Sequence, residues 1–180
     1  MSGRHTHHPT SKHFFSAAVG FVVASIALST MATPALAHGR GQYRKARTHI
    51  VKRVRTQVGS PYRYGGSGPG SFDCSGLTTW TYNGHGAALP RTSLSQFYIP
   101  RYNHRARRIW KRKNLKRGDL VFHHTTSARV GHVGIYVGHG RFISTTSSGG
   151  VRAQPINDPY YWGSRWVGAV RMPITRAKFG

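Results

Sequence analysis

The stretch GHVGIYVGHGRFI, residues 131–143, decides the fold because apolar side chains recur at every second position in it. A period of two is typical of a β-strand, and it runs over residues 132–137 and again over 141–143. The Gly-His-Gly triplet between these two segments is a turn signal. The pattern therefore predicts two antiparallel strands joined by a tight turn.

Further strands are predicted over residues 119–122, 151–154 and 166–171, where the same alternation returns. The earlier part of the chain has a helical period instead. Apolar residues spaced three and four apart predict an amphipathic helix over residues 44–58, and a second helix is predicted from Cys74 to the Asn-Gly pair at 83–84. Helices followed by a meandering antiparallel sheet indicate an α+β domain.

The N-terminus has the pattern of a secretory signal peptide. A polar segment with Arg4 and Lys12 precedes a short apolar stretch, and Ala-Leu-Ala at 35–37 is typical of a cleavage site. We expect residues 1–37 to be removed, residues 38–44 to form a flexible lead, and residues 45–175 to form one domain. An uncleaved membrane anchor is disfavoured because the apolar stretch is short for a span, so no anchor is expected after cleavage.

The charge is strongly positive. The chain has 27 Lys and Arg against three acids, a net charge of +24, and the part beyond residue 37 keeps +22. Nine of these cations lie in residues 100–117, which we predict to be an exposed loop or irregular connector. Such a surface attracts polyanions. For an exported protein, these are the anionic polymers of a bacterial wall rather than nucleic acid, although the charge could also serve solubility alone.

The chain has a single cysteine, Cys74. An exported lone cysteine cannot form an internal disulfide, so it is a dimerising residue, a buried structural residue or a functional thiol. Its context favours the last. Cys74 follows a Gly-rich loop at the predicted start of a helix, where the positive helix end favours a thiolate. Asp73 is placed to cap that helix, and the small Ser75 and Gly76 leave the thiol accessible.

His132 is the candidate base for this thiol. It begins a predicted strand and is flanked by glycines, which allow another segment to approach closely. Alone it would be interpreted as structural, but together with an exported lone cysteine it indicates nucleophilic catalysis. A zinc site built from His123, His124 and His132 is disfavoured, because no acid or second cysteine stands at a familiar spacing. We expect no metal and no cofactor.

Six blocks of the chain, in order, resemble the NlpC-type cysteine peptidases, papain-like endopeptidases of peptidoglycan. The resemblance covers nearly all of the chain beyond the signal peptide, from about Val51 to Met172. The blocks are PYRYGG (61–66), DCSG (73–76), LPRTS (89–93), RGDLVF (117–122), GHVGIY (131–136) and DPYYW (158–162).

The resemblance implies a papain-like core, with the cysteine at a helix start and the histidine on an antiparallel sheet. It also implies a role for each matching residue. These residues are the nucleophile Cys74, the base His132, the oxyanion donor Tyr62, the pocket residues Asp73 and Ser75, and the cleft residues Arg91 and Ser93.

The chain departs from the family at one position. The family places a polar residue, most often His and sometimes Asn or Gln, twelve positions after the base, and here Ser144 stands there. A hydroxyl can accept a hydrogen bond from the imidazole but is shorter than a histidine side chain. Either Ser144 completes the triad, or a water or another side chain does so, with His123 and His139 as candidates.

The resemblance implies a cysteine endopeptidase that cuts peptidoglycan stem peptides. With the signal peptide and the basic charge, we expect it to be secreted and associated with the wall, and we expect a monomer. The bond expected is that between D-glutamate and the diamino acid. Two alternatives stay open: an N-acetylmuramoyl-L-alanine amidase of the same Cys-His type, and a non-catalytic cationic wall-binding module.

Overall fold

The structure, a computed structural model, describes residues 34–174, with side chains from residue 41 onward. The predicted signal peptide therefore lies almost entirely outside the described residues. Three α-helices are followed by six strands, with short 3-10 helices at Ile99–Arg101 and Arg112–Asn114. The helices are α1 (Pro34–Arg55), α2 (Cys74–Asn83) and α3 (Ser93–Phe97), and the strands are β1 (Arg107–Ile109), β2 (Leu120–His123), β3 (His132–Gly138), β4 (Arg141–Thr146), β5 (Gly150–Pro155) and β6 (Trp166–Arg171).

Helix α1 buries one apolar face, as its spacing predicted, but its bounds differ from the prediction of 44–58. Residues 38–44, predicted as a flexible lead, are helical, because extending a helix from turns that are already packed costs little. Proline is also well suited to a first helical position. No helix in residues 34–174 is long and apolar enough to cross a membrane. The buried residues of α1 are Ala46, Ile50, Val51 and Val54.

The six strands form one antiparallel sheet in the order β1-β6-β2-β3-β4-β5. The five strands predicted from the alternating pattern are all present, with bounds that shift by at most three residues. The register pairs His123 directly with His132. At the predicted turn between β3 and β4, Gly138 and Gly140 have positive φ values of 95° and 66°, which glycines adopt without a steric cost, and His139 between them takes the left-handed conformation at φ 51°. The α+β prediction is confirmed.

The two faces of the sheet have different neighbours. One face packs against the helices and forms the main core, which includes Ile50, Leu77, Phe122, Val133 and Ile135. The opposite face carries a smaller apolar cluster, which includes Val121, Phe142, Ile156, Trp162 and Ala169. Because side chains alternate along a strand, His123 and His132 lie on the second face, beside Phe142 and Trp162.

The basic stretch 100–117 is only partly the irregular connector that was predicted. It contains β1, which pairs with β6 through Ile109 and Ala169. Ala106 and Ile109 are buried at 6% and 9% exposure, and these two apolar side chains attach the stretch to the sheet. The prediction missed β1 because two apolar residues among nine cations do not form a visible alternation.

A buried carboxylate joins α1 to the sheet. Asp119 is fully buried and forms ion pairs with Arg47 of α1 at 3.1 Å and Arg171 of β6 at 2.8 Å. It also accepts a hydrogen bond from the backbone N–H of Lys116. A buried charge is tolerated when it is paired in this way. Asp119 thus fixes helix α1 relative to the strands of the sheet.

Candidate active site

Cys74 is the first residue of α2, as predicted. Asp73 is the N-cap: its extended backbone (φ −92°, ψ 174°) turns its carboxylate back to accept the N–H of Gly76 at 2.7 Å. An N-cap of this kind typically contributes about 1 kcal/mol to stability. The Asp73 cap therefore fixes the first turn of α2, and with it the position of Cys74.

The start of α2 packs closely against the loop before it. A Cβ built on Gly76 would lie 1.9 Å from the carbonyl oxygen of Gly66, and that oxygen accepts the N–H of Asp73 at 3.0 Å. Only a glycine allows so close an approach between two backbones. The Gly-rich loop predicted from the sequence thus sets the position of the cysteine.

Asp73 is the centre of a hydrogen-bond network with two other predicted site residues. Its carboxylate accepts from both terminal nitrogens of Arg91, at 2.9 and 2.5 Å, and from the Ser75 hydroxyl at 3.1 Å. Burial alone would raise the pKa of Asp73, but the hydrogen bonds from Arg91 and Gly76 outweigh burial and lower it. The carboxylate is therefore ionised at neutral pH, and Asp73, Ser75 and Arg91 form one rigid unit beside the thiol.

The Cys74 thiol is partly exposed and faces the backbone N–H of Val133, the residue after His132. Burial is the largest influence on the pKa of Cys74 and raises it above its ordinary value. The N–H groups of Val133 and Ser75 favour the thiolate but do not outweigh burial. The expectation that the helix start would lower this pKa is thus not met, and the resting site holds a neutral thiol at neutral pH.

Tyr62 lies close enough to the thiol for the charge of a Cys74 thiolate to raise the pKa of the Tyr62 hydroxyl, although burial has the larger effect. Its backbone bridges to Phe72, two residues before the cysteine. The structure thus brings Tyr62 and Cys74 together, and the hydroxyl stays protonated and able to donate a hydrogen bond. Its role as oxyanion donor stays a prediction.

His132 begins β3 and is buried, with 7% exposure. Burial lowers its pKa to about 4, so its imidazole is neutral at neutral pH. The ring packs against Trp162 at a centroid distance of 4.9 Å and lies 6.4 Å from the ring of His123. A neutral imidazole can accept a proton, so the arrangement can act as a thiol and base pair.

The far nitrogen of His132, Nε2, is buried and has no hydrogen-bond partner within the described part of the chain. Ser144 lies on β4 and is fully buried, but its hydroxyl accepts from Gln154 Nε2 at 3.4 Å and makes no direct bond to His132. A serine side chain reaches less far than the histidine that is usual in the family. Sequence reasoning missed Gln154, although its inward position on β5 indicates a buried polar role.

The other candidates for the third residue separate clearly. His123 is buried beside His132, and burial lowers its pKa to about 3. His139 instead lies in the β3–β4 turn, where Arg117 contacts it at 3.0 Å, and is not at the site.

Ser93, predicted as a cleft residue, begins α3 and donates to the carbonyl of Val130, and it makes no hydrogen bond to the Asp73 network.

A cysteine at a helix start, set against a histidine on an antiparallel sheet, defines the papain-like α+β class. Within that class, the chain belongs to the NlpC/P60 family, whose model matches residues 59–171. This match confirms the resemblance drawn from the six sequence blocks. It lies inside the domain predicted over 45–175.

Two relatives and one solved structure illustrate the similarity. The chain is 35% identical over 137 residues to the murein DD-endopeptidase MepH of Escherichia coli, covering 74% of this chain and 48% of that protein. It is 40% identical over 103 residues to the bifunctional muramidase/DL-endopeptidase CwlT of Bacillus subtilis, covering 56% and 29%.

The crystal structure of an NlpC/P60 family protein from Bacillus cereus superimposes with a TM-score of 0.62 at 27% identity, covering 72% of this chain and 40% of that one. The chain spans about half the length of the curated relatives that it matches.

Proposed function

We propose that this chain is a secreted cysteine endopeptidase that hydrolyses amide bonds in the stem peptides of peptidoglycan. One observation carries the proposal: the lone cysteine stands at a capped helix start with its thiol against Val133, next to His132. Membership of a family whose relatives are named endopeptidases supports the same reading.

In the proposed reaction, Cys74 Sγ attacks the carbonyl carbon of the stem peptide while His132 takes the thiol proton. The negative charge that develops on the carbonyl oxygen is stabilised by the Tyr62 hydroxyl and the backbone N–H of Cys74. His132 then gives its proton to the leaving amine as the C–N bond breaks. Water hydrolyses the resulting thioester and restores the thiol.

The neutral thiol and neutral imidazole require that the proton moves during attack rather than before it. Burial favours the neutral forms of both groups, raising the pKa of Cys74 and lowering that of His132 to about 4. His132 therefore acts as a general base, not as one half of a resting ion pair. Asp73, Ser75 and Arg91 form the pocket wall beside it, and Ser93 is proposed to contact substrate further along the cleft.

For the bond, we propose the one between D-glutamate and the diamino acid. The DL-endopeptidase name of CwlT supports this choice, whereas the DD-endopeptidase name of MepH points to cross-links. Digestion of purified peptidoglycan, followed by mass spectrometry of the new termini, distinguishes these bonds. A new α-amine on the diamino acid with a new carboxylate on D-glutamate is expected, whereas a freed side-chain amine on the diamino acid would indicate cleavage of the cross-link. A freed L-alanine amine on intact stems would instead identify an amidase.

The variant Cys74→Ala tests whether the chain is an enzyme at all. It should abolish release of peptide fragments and leave binding to the wall unchanged. If the wild-type protein and Cys74→Ala acted equally strongly on bacterial cells, the non-catalytic wall-binding module would be the better description.

We also propose that the basic surface holds the protein, as a monomer outside the cell, on the anionic polymers of the wall. The net charge of +22 beyond residue 37 supports this. Co-sedimentation with walls should weaken as salt rises, because exposed charges are screened. Walls stripped of their anionic polymers should bind less protein at the same salt concentration, and equal binding would overturn this proposal.

A further inference from the structure

His132 has a buried nitrogen whose hydrogen-bonding capacity is not used by any described side chain. The residue is 7% exposed, and its Nε2 has no partner in residues 34–174. A buried polar atom left without a hydrogen bond destabilises the folded protein, so such an atom calls for a physical explanation. The groups around Nε2 therefore indicate how the base is held.

Trp162, Gln154 and Ser144 form a chain of two hydrogen bonds in which each donor and acceptor is fixed. The indole N–H of Trp162 can only donate, and it donates to Gln154 Oε1. The amide nitrogen of Gln154 must then point the other way, and it donates to Ser144 Oγ at 3.4 Å. The Ser144 hydroxyl keeps one free lone pair and its own hydrogen, so it can still accept another hydrogen bond.

The Ser144 side chain lies on the same face of the sheet as the His132 side chain. A Cβ built on Gly134, two residues after His132 in β3, would lie 3.0 Å from Cβ of Ser144. Residues two apart in a strand share a face, and the lack of a side chain at Gly134 lets Phe142, 2.6 Å from that Cβ position, and Ser144 pack closely against β3 on the face that carries His132. Thr146, two residues beyond Ser144 in β4, has a buried hydroxyl that also lacks a partner within the described chain.

Trp162 touches both ends of this arrangement. Its ring packs on the imidazole of His132 at 4.9 Å with an interplanar angle of 36°, while its N–H anchors Gln154. The tryptophan therefore limits rotation of the ring, and the glutamine fixes the serine oxygen on the far side.

We propose that Gln154 and Trp162 are positioning residues for His132, and that they hold Ser144 as the acceptor for its Nε2–H through one bound water. Nε2, Ser144 Oγ and Thr146 Oγ1 supply the two to four polar partners that a buried water needs. The Nε2–H form leaves Nδ1 free to take the proton of Cys74. The inference rests on the proposed function, in which His132 is the base. In place of the third polar residue of the family, His132 would be held by a relay, which we define as the bound water, Ser144 and Gln154.

Alkylation of Cys74 by iodoacetamide tests the relay without any peptidoglycan. The chain has a single cysteine, so intact mass follows the formation of one S–C bond and the loss of iodide. Gln154→Ala and Ser144→Ala should each lower the alkylation rate at pH 7 by roughly three- to tenfold, because each variant removes one hydrogen bond from the relay. Arg152→Ala, an exposed change on the same strand, is the matched control and should alkylate at the wild-type rate.

A histidine at position 144 separates positioning from simple stability. Ser144→His supplies the longer side chain that is usual in the family and should reach Nε2 without help from Gln154. In that background, Gln154→Ala should no longer lower the rate. An equal loss in both backgrounds, or no loss in the wild type, would overturn the relay.

The wild-type protein offers a test that does not depend on how the variants fold. Nitrogen NMR shifts of His132 at pH 7 should show a neutral ring with its proton on Nε2 in a hydrogen bond, and a proton on Nδ1 would overturn the proposal. Peptidoglycan digestion is run in parallel. If digestion fails while Gln154→Ala still slows alkylation, the proposed function falls and the positioning role stands.

Discussion

Tyr62 is the residue whose proposed role can be isolated by removing a single oxygen. Tyr62→Phe should lower kcat on peptidoglycan fragments by roughly 10²-fold, since one oxyanion donor contributes about 3 kcal/mol. Unfolding stability should change little, because Tyr62 is only partly buried and no side-chain hydrogen bond of its hydroxyl is present in the described chain. Tyr64 is 89% exposed two residues away, so Tyr64→Phe is the matched control and should keep full activity. Equal activity in the two variants would remove Tyr62 from the mechanism.

His132 sets the expected pH dependence. Its pKa is lowered to about 4 by burial, and a base works only when it is unprotonated. The rings that lie against it in the described chain are His123 from β2, itself with a pKa lowered by burial to about 3, and the uncharged Trp162. We therefore expect kcat/KM to fall only as the pH drops through about 4, measured on stem-peptide fragments with circular dichroism at each pH to confirm folding. An acid limb near 6.5 would contradict a buried neutral base.

At the scale of elements, the junction between the Gly-rich loop and α2 positions the nucleophile. Gly76→Ala would place a Cβ 1.9 Å from the carbonyl oxygen of Gly66. Both atoms belong to or are fixed by backbone, so the helix start must shift, at a cost of about 1–3 kcal/mol. Urea unfolding should show this loss together with reduced activity. Gly70→Ala, in the same loop with nothing within 4 Å of the added Cβ, should leave both unchanged; an equal loss there would mean that the loop as a whole is intolerant.

How far the elements could be predicted depends on whether their pattern is local. The strands around residues 131–143 and helix α2 were found because alternation, caps and turns are visible in a few neighbouring residues. Strand β1 was missed because only Ala106 and Ile109 attach it to the sheet. The early start of α1 was missed because residues 38–44 do not have the apolar spacing that predicted the helix over 44–58.

The site was predictable as a set of residues but not as an electrostatic state. The structure brings together Tyr62, Asp73, Ser75, Cys74 and Arg91, and the roles that the resemblance assigns to them stay predictions. The pKa of the thiol could not be foreseen, since a helix start and burial act in opposite directions and only the fold shows which is stronger. Likewise, Gln154 is a partner of Ser144 only because β5 pairs with β4.

At the scale of the whole molecule, two buried neutral histidines make stability depend on pH. The pKa values of His123 and His132 are lowered from 6.5 to about 3 and about 4. In the window from pH 6.5 down to about 4 the unfolded chain binds protons that the folded chain does not, so stability falls as pH falls. Each histidine removes up to about 1.4 kcal/mol per pH unit there.

The variant His123→Phe tests this linkage. It removes one of three buried histidines with a lowered pKa, since burial also lowers the pKa of His85, and should cut the loss of unfolding free energy between pH 6.5 and 4 by roughly a third to a half. Urea unfolding at several pH values measures that loss. His104→Phe is the control, since His104 lies exposed in the basic stretch and should leave the pH dependence as it is. A pH dependence unaltered by His123→Phe would contradict a neutral His123.

The two carboxylate oxygens of Asp73 stabilise the start of α2 and also hold the side chains of the proposed pocket. Its carboxylate caps α2 through Gly76, fixes the loop through Gly65, and holds Ser75 and Arg91 at the edge of the site. A mutation that alters this network would therefore also weaken helix α2, at whose start Cys74 stands. Changes of substrate preference, in nature or in directed evolution, should accumulate at residues outside this network and leave Asp73 untouched.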